Sequence, residues 1–204
     1  MRLDYADNPP KNLSSEDEQI LERVKARRGE RGLLPLDLAL LHAPKVADGW
    51  NSLLGAIRTR TSLPDNIREI AICRPALINQ AWFEWQNHAP LLIESDSFKA
   101  DPEKINPVQE LHPTSAGKLD AKEWATLRYA DAMTRDVQVP QALFDELKGL
   151  FNEKEIVEIT ATVASYNLVS RFLVALDVGE QNNMAPEFVS KVVNPGSTDD
   201  KIQS

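Results

Sequence analysis

The stretch AWFEWQNH, residues 81–88, sets three large aromatics, a carboxylate and an imidazole close together along the chain. Glu84 and His88 stand four residues apart, so on a helix their side chains leave the same side and can touch. Ile70, Leu77, Ala81, Glu84 and His88 fall on one helical stripe, which turns both polar groups towards the apolar side. A carboxylate turned inward loses hydration, which favours its neutral form unless hydrogen bonds compensate, and an imidazole is one such partner. The pair is suited to moving protons near neutral pH. The competing interpretation is a structural Glu–His bond under a tryptophan lid. No metal site and no cofactor are indicated, because His42, His88 and His112 are the only histidines and none has another at ligand spacing.

The elements that must position this stretch are helical. Ser15 followed by Glu18 reads as a capping box, with Ile20, Leu21 and Val24 on one face behind it. LDLALLH after Pro35 predicts a helix that stops before Pro44. VADGWNSLLGAIRTR places Val46, Trp50, Leu53, Leu54 and Ile57 on one stripe, and Ser62, Pro64 and Asp65 open a long run from Ile67 to about Leu92. ESDSFKADPEKINPVQELHPTSAGK is expected to be a connecting loop with at most one short helical turn. Capping boxes at Asp120/Glu123 and Asn152/Glu155 open two further helices, with Pro140 starting another between them. The expectation is one all-α domain over 1–204, built from diverged repeats at 36–95 and 119–180. Residues 181–204 are expected to form a surface or flexible tail. The gap-free register between the repeats pairs Glu69 with Glu158, and His88 with Asp177, so one copy alone keeps the acid–imidazole pair.

Composition narrows the function. The chain has 204 residues, 42% of them hydrophobic and 26% charged, within the range of globular proteins. A net charge of −8 gives no electrostatic footprint for nucleic acid. KARRGER, residues 25–31, is the one basic cluster and reads as the end of a solvated helix. No stretch approaches the roughly 18 apolar residues of a membrane span, and the acidic N-terminus lacks a signal-peptide core, so a cytoplasmic location is expected. The single cysteine, Cys73, rules out an intrachain disulfide and a Cys-x-x-Cys pair, and its apolar neighbours predict a buried thiol.

REIAICRPALINQAWFEWQNHAPL resembles the carboxymuconolactone decarboxylase family, which includes the alkylhydroperoxidase D proteins. LDLALLHAPKVADGWNSLLGAIRTRTSLP resembles that family's preceding helices, and VEITATVASYNLVSRFLVALDVG the second copy of its two-repeat members; the likeness covers roughly residues 30–180. It implies the alkylhydroperoxidase D-like all-α fold and a homo-oligomer, a trimer or hexamer with a dimer as the alternative. The Cys-x-x-Cys of peroxidase members falls on Ala81 and Glu84 here, which makes thiol peroxidase chemistry unlikely, since it needs a thiolate and a resolving partner. The family's upstream glutamate falls on Glu69 and its histidine on His88. On a continuous helix Glu69 and Glu84 would stand about 22 Å apart, so a shared site requires a chain break, placed here at Asn79-Gln80.

The resemblance implies a lyase-like, cofactor-independent enzyme acting on a small lactone or carboxylic acid by decarboxylation or isomerisation. Glu84 and His88 are its expected proton-transfer pair, with Glu69 beside them. Trp82, Phe83 and Trp85 are candidate apolar walls, although one helix cannot turn all three to one pocket. Arg58, Arg60, Arg68 and Arg171 are candidate cations for an anionic substrate, with Arg58 and Arg171 carried forward. The alternative is a non-catalytic, oligomeric scaffold or small-ligand binder on the same fold.

Overall fold

The structure is a computed structural model and describes residues 1–188. Among those residues the regular elements are all helical. In chain order they are α1 (Ser15–Arg28), α2 (Pro35–Leu40), α3 (Pro44–Thr59), α4 (Asp65–Ile78), α5 (Trp82–Ile93), α6 (Asp96–Ala100), α7 (Ile105–Gln109), α8 (Ala121–Arg135), α9 (Gln141–Leu150) and α10 (Glu153–Leu176). The expected all-α class holds.

α4 is the axis of the molecule because its sequence is apolar nearly all round, and such a helix must be covered on every side. Every residue from Glu69 to Leu77 is buried. Ile72 packs into a cluster with α1, α2, α3 and α10, where Leu21, Leu40, Leu54, Ile57, Tyr166 and Leu173 meet. Ile70, Cys73, Ala76 and Leu77 pack with Trp82, Trp85 and Leu92 of α5 and with Phe98 and Leu127. Ile67 and Ala71 join Tyr129, Leu147, Ile159 and Val163 of α8–α10. Three hydrophobic clusters thus share one helix.

Helix boundaries follow cap chemistry. Asp120 and Glu123 close a reciprocal capping box on α8, as do Asn152 and Glu155 on α10. At α1 the cap is Ser14 and not Ser15: its hydroxyl accepts from the Asp17 amide at 3.2 Å, so the helix starts one residue earlier than Ser15/Glu18 implied. On α3 the apolar stripe is wider than the buried face. Ala47, Leu54 and Ile57 are buried, whereas Val46 and Leu53 are exposed. Among the described residues α10 is the one helix long and apolar enough by composition to cross a membrane, and here its buried face packs against α4, α8 and α3.

The segment expected to be mostly loop carries more structure than its sequence advertises. It forms α6, a 3-10 turn at Pro102–Lys104, and α7. Helices this short leave no readable period, and side chains from elsewhere fix them. Glu123, fully buried, accepts from Lys104 at 2.9 Å and from Asn66 at 2.8 Å, and also takes the Ser97 hydroxyl. Arg74, also fully buried, donates through Nε and Nη2 to Asp131, both at 2.7 Å, and through Nη1 to the carbonyls of Val108 and Glu110. Of the expected tail, residues 189–204 lie outside the described residues; before them Phe188 stacks at a tilt on Trp85, centroids 5.4 Å apart.

Arg74 gives the first test. Arg74→Leu keeps bulk but strands Asp131 and the α7 carbonyls, so it is expected to cost about 3–5 kcal/mol in urea unfolding. A loss under about 1 kcal/mol, the level of a surface pair, would contradict the hub.

Candidate active site

The site depends on how α4 ends. The Ala81 amide donates to the Ala76 carbonyl at 2.8 Å and the Gln80 amide to Leu77 at 3.2 Å, with Gln80 in the left-handed region at φ 55°. This is a Schellman-type stop in which a glutamine takes the place glycine usually fills. Asn79 pins the turn to α10, donating to Asn167 at 3.1 Å and to Ser170 at 2.9 Å. The break falls where Asn79-Gln80 was expected to give way, and α5 folds back beside α4.

The fold-back brings Glu69 onto His88: Glu69 Oε2 lies 2.7 Å from His88 Nδ1. The sequence paired His88 with Glu84; its bonded partner is Glu69, because antiparallel packing of two helices places a carboxylate closer to the ring than the next turn of α5 does. The other Glu69 oxygen faces Arg68 Nε at 3.5 Å. A carboxylate can only accept, so Nδ1 carries the proton and Nε2 keeps its lone pair. Tyr166 of α10 donates its hydroxyl to Nε2 at 3.3 Å, and the two rings meet edge to face at 5.1 Å. Burial pushes the His88 pKa below its ordinary 6.5, against the hydrogen bond and charge of Glu69. Burial also pushes the Tyr166 hydroxyl far up. Burial therefore favours the neutral forms of both the imidazole and the phenol beside it.

Glu84 behaves in the opposite way. It is 2% exposed, and among the described residues neither carboxyl oxygen has a hydrogen-bond partner. Burial alone holds its pKa well above the usual 4.5. Burial thus favours its neutral form, and leaving such a group unmatched costs about 1–3 kcal/mol.

Glu84, His88 and Tyr166 line one pocket, with about 70 Å³ of free space. Leu36, Trp50, Leu54, Phe83, Val169 and Leu173 make its apolar wall, while Arg27, Arg28, Arg31 and Arg58 stand on the cationic side. Of the three aromatics expected as walls, Phe83 alone faces the pocket. Trp82 and Trp85 point the other way, into the cluster with Leu77 and Leu92, because successive residues turn about 100° around a helix. Of the expected cations Arg58 lines the pocket. Arg171 does not: it is exposed on α10 and donates to the Asn167 carbonyl at 3.0 Å. Arg60 is exposed at the end of α3, and Arg68 is held by Asp65 and Glu69.

Two contributions went unread in the sequence. Tyr166 sits on the apolar face of α10 with Val163, Val169 and Leu173, and a hydroxyl on such a face needs a partner, which was the available signal. KARRGER is not a solvated helix end: Arg27 and Arg28 turn inward, and Arg28 forms a two-bond pair with buried Asp37 at 2.7 and 2.6 Å. Cys73, one turn beyond Glu69, is fully buried, and its thiol is pushed up by burial and by the Glu69 carboxylate. Burial is the larger cause, and a thiol so placed is a poor source of thiolate.

Phe83 is set by a glycine. Gly179 has φ 77°, its amide donates to the Tyr5 hydroxyl at 2.8 Å, and a Cβ there would sit 2.8 Å from Phe83 Cε2 and closer still to Cδ2. Gly179→Ala is expected to drive the Phe83 ring towards the pocket and to destabilise the protein by about 1–3 kcal/mol in chemical unfolding. Unchanged stability with an unchanged Phe83 position in a crystal structure would contradict this contact.

No family model matches the chain, and no curated protein matches it by sequence. Solved structures do match. An uncharacterized peroxidase-related protein of Ralstonia eutropha JMP134, described as an alkylhydroperoxidase AhpD core, superposes at a TM-score of 0.68 with 17% identity, covering 87% of this chain and 90% of that one. A peroxidase-related protein of Silicibacter sp. TM1040 gives 0.66 at 17% identity, over 85% and 90% of the two chains. The debrominase Bmp8 gives 0.65 at 18% identity, over 81% and 88% in its apo form. Its cysteine-to-alanine variant in complex with 2,3,4-tribromopyrrole gives 0.65 at 18%, over 86% and 92%. At these identities the likeness is one of fold.

Proposed function

We propose that this chain, which has the alkylhydroperoxidase D-like helical fold, is a cofactor-independent acid–base enzyme acting on a small lactone or carboxylic acid. One observation carries the proposal: Glu84, a buried carboxyl without a hydrogen-bond partner, and His88, an imidazole held at Nδ1 by Glu69, line the same pocket, and burial shifts their pKa values in opposite directions. Groups whose environments fix opposite protonation states at one pH are the parts of an acid–base pair. Bmp8, a neighbour of the same fold, is named for a reaction on another chemistry, so the fold does not choose the reaction.

In an isomerisation, His88 Nε2 removes a proton from carbon while Glu84 delivers its own to another atom of the substrate. Glu69 holds the imidazole by Nδ1 and balances the positive charge that forms. In a decarboxylation the C–C bond to the carboxylate breaks, CO₂ leaves, and the electron pair passes into the conjugated lactone carbonyl. Glu84 then protonates the carbon and regains its proton from water. Arg58 is the cation that orients the substrate's carboxylate, and the apolar wall of Leu54, Phe83 and Leu173 favours release of charge as neutral CO₂. Cys73 has no part in either route. A homo-oligomer belongs to the same proposal, with the exposed Val46 and Leu53 of α3 as apolar surface available to it.

The test combines variants with pH. Glu84→Gln and His88→Gln are each expected to lower turnover on lactone acids, followed as CO₂ release or isomer formation, by roughly 10²–10⁴-fold. Cys73→Ser should leave turnover nearly unchanged. Because the His88 pKa is lowered and the base must be neutral, activity should rise as pH climbs through a value below 6.5. Because the Glu84 pKa is raised and the acid must be protonated, activity should fall as pH climbs through a value well above 4.5. Variants that keep full activity per folded molecule, and lose stability alone, would instead identify a structural pair in a binding protein.

A further inference from the structure

The pocket around Glu84 does not end at its arginines. Beyond them lies a second cleft, with about 440 Å³ of free space, and the two spaces share Arg27, Arg28, Arg31 and Arg58. Arg68 and Thr59 extend the cleft's polar wall, while Asp65, Glu69 and Glu94 are its carboxylates.

Each of those carboxylates already has a cation. Asp65 accepts from Arg68 at 2.7 Å, Glu69 from His88 at 2.7 Å with Arg68 at 3.5 Å, and Glu94 pairs with Lys99 at 2.8 Å. Arg28 is matched by Asp37. The remaining guanidiniums are not matched. Among the described residues Arg31 and Arg58 have no anionic partner, and Arg27 is held only by the neutral side-chain amide of Asn51. Burial, together with the charge of Arg28, holds Arg27 below the usual arginine range even against the pull of Asp37, and Arg58 adds to the crowding. This crowding occurs in a protein of net charge −8, whose surface otherwise repels anions.

We propose that the second cleft is a subsite for a multiply charged oxyanion, of phosphate or polycarboxylate type, borne as the tail of a ligand whose apolar head lies beside Phe83 and Glu84. Guanidinium forks match such oxyanions two bonds at a time. A single carboxylate would satisfy one fork and leave the others crowded, so the tail carries more than one charge. The four arginines common to both spaces mark the junction of head and tail. The proposal rests on the acid–base assignment only in joining the two parts in one ligand.

Binding of bare anions tests the subsite without any turnover. Wild-type protein is titrated with pyrophosphate, inorganic phosphate and citrate by calorimetry and thermal unfolding, against sodium chloride of equal ionic strength. Saturable stabilisation beyond chloride is expected. The Arg31→Gln/Arg58→Gln variant should weaken affinity about tenfold or more, while Lys45→Gln, a surface pair partner of Glu16, should leave it unchanged. Arg31 is exposed, so Arg31→Gln alone gives the answer if the double variant does not fold. Tighter pyrophosphate assigns a phosphate-type tail, and tighter citrate a polycarboxylate. Glu84→Gln should bind the anions like wild type, so failure of the subsite and failure of the acid–base assignment are seen separately. No stabilisation beyond chloride, or affinity indifferent to Arg31 and Arg58, would overturn the proposal.

Discussion

The stop between α4 and α5 is the constraint on which the site depends. Carried on one straight helix, Glu69 and His88 would be separated by about 28 Å; the turn at Asn79–Ala81 brings them to 2.7 Å. The turn in turn depends on α10, since Asn167 and Ser170 hold Asn79, and the same helix supplies Tyr166 to the far side of the imidazole. One helix therefore anchors the fold-back and completes the relay that the fold-back creates. In the gap-free register pairing Glu69 with Glu158, residues 168–170 fall at the position of this turn, and α10 runs through them unbroken. That half of the chain cannot build the same arrangement.

Burial acts on every group in the pocket but does not move them the same way. It removes water from Glu84 without offering a hydrogen bond, and a carboxyl so placed keeps its proton. It removes water from His88 as well, which disfavours the cation, while Glu69 restores part of what is lost. Burial thus shifts two neighbouring groups in opposite directions, the carboxyl up and the imidazole down. Arginines line one side of the pocket and apolar side chains the other, so one end favours apolar surface and the other negative charge.

The helical class was legible because the periodicity from Ile67 to Leu92, and the cap pairs Asp120/Glu123 and Asn152/Glu155, are local signals. So was the break, which follows from requiring distant glutamates to share a site. Partner choice was not local. Spacing offered Glu84 to His88, yet helix–helix packing gave His88 to Glu69 and left Glu84 alone. The inward turn of Arg27 and Arg28 was hidden because an arginine-rich helix end looks the same whether it faces water or buried Asp37. Trp82 and Trp85 look as suited to a pocket as Phe83 until α5 is set against α4. α6 and α7 were missed because Arg74 and Glu123, distant in sequence, hold them.

The central claim is that Glu84 carries a proton at neutral pH while His88 does not. Carbon-13 NMR of protein labelled at the glutamate carboxyls, with the Glu84 resonance assigned by its loss in Glu84→Gln, measures this directly. The expected result is one carboxyl that stays protonated through neutral pH, beside a histidine ring that titrates below the ordinary range with Nδ1 protonated in its neutral form. A Glu84 carboxyl that ionises in the ordinary range of an exposed glutamate would contradict it.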